Sequence, residues 1–309
     1  MKALADYVHS LGLKFGVYSA QHEFTCQRRP GSYLHEAIDV QSYCDWGVDY
    51  VKLDGCRGGS YPNLNTSWIK FRAAIDACVA KRGSPMVLSV ESCDDPSPSG
   101  CGTWVGGLAN LWRTCGDIQM TFSSVMNNVA QNTKMAAFAG PKGGPGGGGH
   151  WNDADMLQVG NIGMSLDEQS SHFSLWSIMA SPLLIGSDVS MLSNESLAIL
   201  GNTEVTAINQ DALGVQGVPV GHGADDARTA PCWAKPLSNN DLAVLLLNTN
   251  SSATTVTCSL AELGVPGARA AKVRDLLKHA DVPPPETGGA LSVQLRAHAH
   301  AFFRVTPLH

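Results

Sequence analysis

The chain has 309 residues, 44% of them apolar, and a formal net charge of −6. That length allows one large domain and one small one with a sizeable core. No run of Lys or Arg exceeds two residues, which argues against nucleic acid and anionic membrane surfaces as partners, and no apolar run is long enough to span a bilayer. Residues 1–11 are amphipathic, with Met1, Leu4, Ala5, Val8 and Leu11 on one face, and predict a helix packed on that face. Residues 14–19 read as a strand. Residues 33–46 read as a helix with Leu34, Ile38 and the Tyr43/Trp46 side turned inward, and 50–54 as the next strand. Residues 65–81 form a helical pattern carrying Trp68, Phe71, Ile75 and Val79. Strands are expected at 86–91 and 109–114, and a helix at 118–133. A Gly-rich loop, 143–149, leads into Trp151-Asn152-Asp153-Ala154-Asp155-Met156. Helix 166–180, a short strand 182–187 and helix 193–200 close this half.

Such a βαβα rhythm argues for a parallel sheet with helices outside it. About six β/α units are countable, where a closed barrel has eight. The chain starts inside a helix, so we expect the first two units of a (β/α)8 TIM-type barrel to be missing from its front, with any signal peptide in that missing part. An open doubly wound sheet would show a Gly-rich phosphate turn after its first strand, and none is there. After Gln210 the pattern changes to Gly and Pro, then to alternating or apolar runs at 241–247, 254–259, 270–276, 290–295 and 300–305. These predict a small antiparallel β-sandwich. The expected division is a catalytic barrel over 1–225 and a β domain over 226–309.

Nine cysteines form no C-x-x-C pair or zinc-ligand spacing, so no metal and no cofactor are expected. With the sequons at Asn65, Asn194 and Asn250 they favour an oxidising route: secreted, vacuolar or lysosomal, or cell-wall. Cys44 and Cys78, on successive helices, are candidates for one bridge, and Cys232 and Cys258 for another. Cys115 is the candidate for the odd thiol. His298 and His300 alternate along a strand and read as surface residues.

The predicted strand ends present Tyr18, then Lys52 and Asp54, then Glu91, then Arg113 with Asp117 close behind. The Gly-rich loop ends in Asp153 and Asp155. Lys52 and Asp54 are two apart, so both leave one face of their strand. The C-terminal end of a parallel strand is where a β/α barrel keeps its chemistry. Carboxylates for reaction, a Lys and an Arg for hydroxyls, and Trp112 and Trp151 for a sugar face make the inventory of a glycosidase, with Asp54 as nucleophile. The alternatives are ordinary ones: Asp117 as the N-cap of helix 118–133, Tyr18 as a core tyrosine, Asp153 as a structural carboxylate.

Several stretches carry a resemblance. They are Gly12-Leu13-Lys14-Phe15-Gly16-Val17-Tyr18-Ser19, Trp46-Gly47-Val48-Asp49-Tyr50-Val51-Lys52-Leu53-Asp54-Gly55-Cys56, Trp112-Arg113 through Asp117, Trp151 through Met156, and Ala207-Ile208-Asn209-Gln210-Asp211. In this order the chain resembles glycoside hydrolase family 27, the α-galactosidases and α-N-acetylgalactosaminidases. The resemblance implies a retaining exo-glycosidase acting on terminal α-linked galactose, with Asp54 as nucleophile and Asp117 as acid/base. It implies sugar contacts from Tyr18, Lys52, Glu91, Arg113 and Asp155, with Met156 behind Asp155. It also implies a Cys26–Cys56 disulfide against the pocket. A carbohydrate is the implied partner, and a monomer or homodimer the implied assembly.

The sequence departs from the family in three places. A Gly-Trp-Asn-Ser-Trp-like segment and an Asp-Asp pair that holds the galactose 4- and 6-hydroxyls precede the matching stretches in family members, and neither is in this sequence. Ala154 replaces the usual Pro. Residues 92–101 differ from the loop that reads the C2 substituent, and Cys93 with Cys101 is expected to close that loop. Two other readings therefore stay open. One keeps the mechanism on α-N-acetylgalactosamine or a β-L-arabinopyranoside. The other is a truncated, non-catalytic sugar-binding remnant.

Overall fold

The computed structural model describes residues 1–56, 64–265 and 269–308. The first elements are α1 (Lys2–Ser10), β1 (Gly16–Ala20), α2 (Glu36–Trp46), β2 (Tyr50–Asp54), α3 (Leu64–Arg82), β3 (Val87–Val90), the single turn α4 (Gly102–Val105) and β4 (Leu111–Arg113). They are followed by α5 (Phe122–Lys134), β5 (Trp151–Asp153), α6 (Leu166–Ile178), α7 (Asn194–Leu200) and α8 (Thr203–Asn209). Strands β1 to β5 form one sheet in chain order. Its register pairs Tyr18 with Lys52, Ala20 with Asp54 and Leu53 with Val90, all parallel. The expected strand at 182–187 shrinks to one parallel bridge, Leu157 to Ile185, so the described strands form an open β/α sheet of five.

Two compact units can be described separately. The first comprises Met1–Thr114 and Lys142–Trp151. Its core includes Val40, Val51, Leu53, Trp68, Phe71, Ile75, Leu88, Val90 and Trp112, all fully buried. Burying a large apolar side chain contributes about 1.5–3 kcal/mol. α2 ends at Gly47 in the left-handed region (φ 79°), where a residue without Cβ carries no steric penalty. Two expectations about apolar faces fail here. In α1 only Ala5 is buried, whereas Met1, Leu4 and Leu11 are 54%, 49% and 57% exposed, and no described element covers them. In α2 the buried side is Glu36, Val40 and Tyr43. Ile38 lies roughly 200° around the helix from Glu36 and faces out. Leu34 precedes the helix with a left-handed backbone and is also exposed.

The second unit comprises Cys115–Pro141 and Asn152–His309. α6 opens on a capping box between Ser165 and Glu168, worth about 1 kcal/mol against alanine at the cap. The C-terminal strands are β6 (Val218–Pro219), β7 (Cys232–Pro236), β8 (Leu242–Leu247), β9 (Thr254–Ser259), β10 (Ala270–Asp275), β11 (Ala280–Val282), β12 (Ala290–Leu295) and β13 (His300–Pro307). They form an antiparallel sheet, β11-β10-β13-β8-β7-β6, and a two-stranded β12-β9 sheet. Their inner faces share a core of Val244, Leu246, Val256, Cys258, Val273, Leu291, Phe303 and Val305. The Cys232–Cys258 disulfide ties β7 to β9. His300 corrects the sequence expectation. It is 7% exposed, with its ring nitrogens 3.1 Å and 2.7 Å from the hydroxyls of Ser171 and Ser174.

The other bridges are Cys26–Cys56, Cys44–Cys78 and Cys93–Cys101; Cys115 takes part in none of the four. Asn194 and Asn250 are exposed, and the side chain of Asn65 lies outside the described residues. No described helix is long and apolar enough to cross a membrane.

Candidate active site

Asp54 is the last residue of β2, so its strand places it at the C-terminal edge of the sheet. Its carboxylate accepts the Gly55 N–H at 2.7 Å through Oδ1 and the Tyr18 hydroxyl through Oδ2. Tyr18 is 49% exposed, which rules out the core-tyrosine alternative. The Cys26–Cys56 disulfide packs on the same carboxylate, with Cys56 Sγ 3.2 Å and Cys26 Sγ 3.7 Å from Oδ2. These three residues are close enough to mimic a metal-ligand triad. Their sulfurs are bonded to each other and have no thiolate to offer, so the group does not fit a metal.

Glu91 follows β3 directly, and its backbone N–H donates to Leu53 O at 3.1 Å. The carboxyl lies 3.3 Å from Lys52 Nζ and 3.9 Å from Arg113 Nη1. Arg113 ends β4 and is 5% exposed; its carbonyl accepts the Cys93 N–H at 2.8 Å. The Cys93–Cys101 bridge closes the loop that follows. Within it Gly100 is required, since a Cβ there would stand 2.3 Å from Asp95 O.

The two carboxyl groups divide one charge. Burial pushes Glu91 up to about 7, and its hydrogen bond to Asp54 adds to this against the opposing pull of Lys52 and Arg113. For Asp54, burial also acts upward. Hydrogen bonds from Glu91, Tyr18 and Gly55, together with the Lys52 charge, outweigh it and hold Asp54 below the usual carboxylate range. Burial and the adjacent Asp54 charge push the Tyr18 hydroxyl upward, so it stays a donor. The result is an ionised Asp54 facing groups that donate to it, the state a nucleophilic carboxylate needs.

The second unit holds the remaining predicted residues. Asp117 lies between β4 and α5. It is not a helix cap: α5 begins at Phe122, and Thr121 caps it by accepting the Ser124 N–H at 3.3 Å. Asp155 has an unusual backbone for a non-glycine, φ 83°. Its Oδ2 accepts the Ile118 N–H and its Oδ1 the Met156 N–H, both at 2.8 Å. Asp153 is structural in its observed role, accepting the Asp155 N–H at 2.9 Å. Met156 is 41% exposed.

Sequence reasoning missed two residues here. Asn128, on α5 and 3% exposed, donates to Gly116 O and Ala154 O at 3.2 Å and 3.1 Å. Trp176, on α6 and fully buried, donates its indole N–H to Asp155 O at 2.7 Å. A polar residue on the buried side of helix 118–133 was the available signal for Asn128. Trp176 sits in an apolar run and looks like any core tryptophan.

Two other aromatic residues depart from expectation. Trp112 is fully buried and stacks on His150 at 5.9 Å. Trp151 opens β5, at the other end of its strand from a C-terminal rim. It lines a cavity of about 440 Å³ with Arg72, Met86 and Leu111.

The family model described as alpha galactosidase A matches residues 1–211, and the alpha galactosidase C-terminal beta sandwich domain matches 228–305. An alpha-galactosidase of Oryza sativa subsp. japonica is 39% identical over 99% of this chain and 69% of its own length. The alpha-N-acetylgalactosaminidase of Gallus gallus is 34% identical over 95% of this chain and 71% of its own. The crystal structure of alpha-galactosidase I from Mortierella vinacea superposes with a TM-score of 0.85 at 28% identity, covering 99% of this chain and 80% of that one. The chain belongs to the alpha galactosidase A family, within glycoside hydrolase family 27.

Proposed function

We propose that this chain is a retaining exo-glycosidase that hydrolyses terminal α-linked D-galactose. The observation that carries this reading is the Asp54 carboxylate at a strand end, accepting from Tyr18 and Gly55 with Lys52 and Glu91 alongside. In the first step Asp54 attacks the anomeric carbon, the bond to the leaving oxygen breaks, and Asp117 gives that oxygen its proton. In the second step Asp117 takes a proton from water, the water oxygen bonds to the anomeric carbon, and Asp54 leaves. Two inversions return the α configuration. Lys52, Glu91 and Arg113 serve the sugar hydroxyls, and Tyr18 and the Cys26–Cys56 bridge wall the pocket beside the nucleophile. Asp155 and Met156 complete the set of substrate-facing residues. Four disulfides and exposed sequons at Asn194 and Asn250 support a secretory route for the protein. It acts as a monomer or homodimer.

The reading is tested by p-nitrophenol release from the α-D-galactopyranoside beside the α-N-acetylgalactosaminide and the β-L-arabinopyranoside, with the first-formed anomer read by proton NMR. The α-galactoside is expected to be turned over fastest, giving α-galactose first. A folded chain that turns over none of the three is a non-catalytic sugar binder, and the proposal fails. A faster rate on either of the other two reassigns the sugar.

A further inference from the structure

We propose that Asn128, Asp155 and Trp176 form a positioning clamp that sets the aim of Asp117. This rests on the reading of Asp117 as the acid/base. The segment between β4 and α5 is neither helix nor strand, so no repeating ladder fixes the backbone that carries Asp117. The bonds on either side of it do so instead. Asn128 donates both amide hydrogens, one to Gly116 O at 3.2 Å and one to Ala154 O at 3.1 Å, and so joins the chain just before Asp117 to the chain just before Asp155. Asp155 Oδ2 accepts the Ile118 N–H at 2.8 Å, on the other side of Asp117. Asp117 is thus gripped at both neighbouring peptide units.

The clamp is itself held. The left-handed backbone of Asp155 is uncommon for a residue with a side chain. Three contacts hold it: its N–H donates to Asp153 Oδ1 at 2.9 Å, its Oδ1 takes the Met156 N–H, and its carbonyl takes the Trp176 indole N–H at 2.7 Å. Asn128 and Trp176 are 3% and 0% exposed, so water cannot substitute for them without entering the core. The side-chain amide places two donors on one planar nitrogen, whereas an ionised aspartate of the same size only accepts and cannot replace Asn128. Asp155 therefore acts on Asp117 through the peptide of Ile118, in addition to facing substrate.

A displaced acid shows itself by leaving group. General acid catalysis contributes about 10²–10⁴-fold where the leaving oxygen must be protonated, and little where it is already a good leaving group. The test compares Asn128→Ala and Trp176→Phe with the unmodified chain on melibiose and on 2,4-dinitrophenyl α-galactoside, with galactose as a competitive inhibitor. We expect kcat/KM on melibiose to fall about 10- to 100-fold in Asn128→Ala and about 3- to 10-fold in Trp176→Phe. On the dinitrophenyl substrate the loss stays within about threefold, and the inhibition constant for galactose within about twofold. Equal losses on both substrates, or none on either, overturn the clamp. If Asn128→Ala does not fold, Trp176→Phe, which removes the indole donor and keeps an aromatic ring in the core, decides alone by the same criterion. An unmodified chain inactive on both substrates refutes the glycosidase reading itself, and the clamp with it.

Discussion

Around Asp54 the controlling neighbours are charged or share a proton. Lys52 lies 3.3 Å from Glu91, Glu91 is pushed up to about 7, and Asp54 is held down. Around Asp117 hydrogen bonds act on the backbone at either side: the Asn128 amide donates to Gly116 O, and the Asp155 carboxylate accepts the Ile118 N–H. The contrast matches two chemical tasks. A nucleophile must stay ionised until it attacks, and a fixed field secures that. An acid/base must change protonation twice per cycle, so a field strong enough to pin one state would stop it. Such a group also has to be placed, through the chain that carries it.

Removing each carboxyl is the strongest way to break this comparison. Asp54→Asn should lower kcat on every α-galactoside by on the order of 10⁴-fold or more with the fold intact by circular dichroism, because no neighbouring group can replace the attacking oxygen. A loss of similar size on melibiose alone would mean that Asp54 is not the nucleophile. Asp117→Asn should cost about 10²–10⁴-fold on melibiose and far less in the first step on the dinitrophenyl substrate. A uniform loss would remove Asp117 from the acid role.

The next effect is one of pH. Ionising Glu91 near pH 7 puts a second negative charge beside Asp54 and removes a donor to it. The free-enzyme profile of kcat/KM should therefore fall through an alkaline limb near 7. In Glu91→Gln that limb should disappear or move to higher pH while the plateau rate drops. An unmoved limb would assign the titration elsewhere. The same shift has a stability sign. The folded carboxyl, at about 7, lies above its usual 4.5. Its favourable contribution is full below 4.5 and is lost as pH rises from 4.5 to 7. Glu91→Gln should therefore look most stable, relative to the unmodified chain, above pH 7.

The smallest expected effect lies in the second unit. Burial lowers His172 to about 3 and His300 to about 4 from the usual 6.5. Their contribution is present above 6.5 and is lost as pH falls below it, since the unfolded chain takes up protons that the folded one refuses. His300→Gln should flatten the fall of Tm between pH 6.5 and 4. An unchanged slope would mean that His300 is protonated in the fold.

Much of this contrast was legible in the sequence, though unevenly. A Lys and an Asp two apart at the end of a β-prone run marked the candidate nucleophile, and Asp54 stands at the end of β2. The strands at 254–259 and 290–295 were bounded correctly because they alternate and are flanked by turn residues. α8 went unpredicted because its seven residues are too short for a periodic signal. Ile38 and Leu34 were misplaced because an apolar residue near a helix start does not reveal which face is buried. Here Glu36 takes an inward position. His300 looked like a surface residue until Ser171 and Ser174 supplied partners for its ring. Around Asp54 the chemistry is in ionisable side chains at the ends of predicted strands. Around Asp117 it is in Asn128 and Trp176, whose identities mean nothing until folding shows which carbonyls they reach.

In the proposed reaction Asp54 forms the bond to the sugar. Incubating the chain with a 2-fluoro-α-galactosyl donor bearing a good leaving group, then sequencing the labelled peptide by mass spectrometry, tests it directly. One fluorogalactosyl group per chain is expected, on the Asp54 carboxylate, disappearing as activity returns. A label on Glu91, Asp117, Asp155 or any other residue, or steady turnover with no covalent adduct, would contradict it.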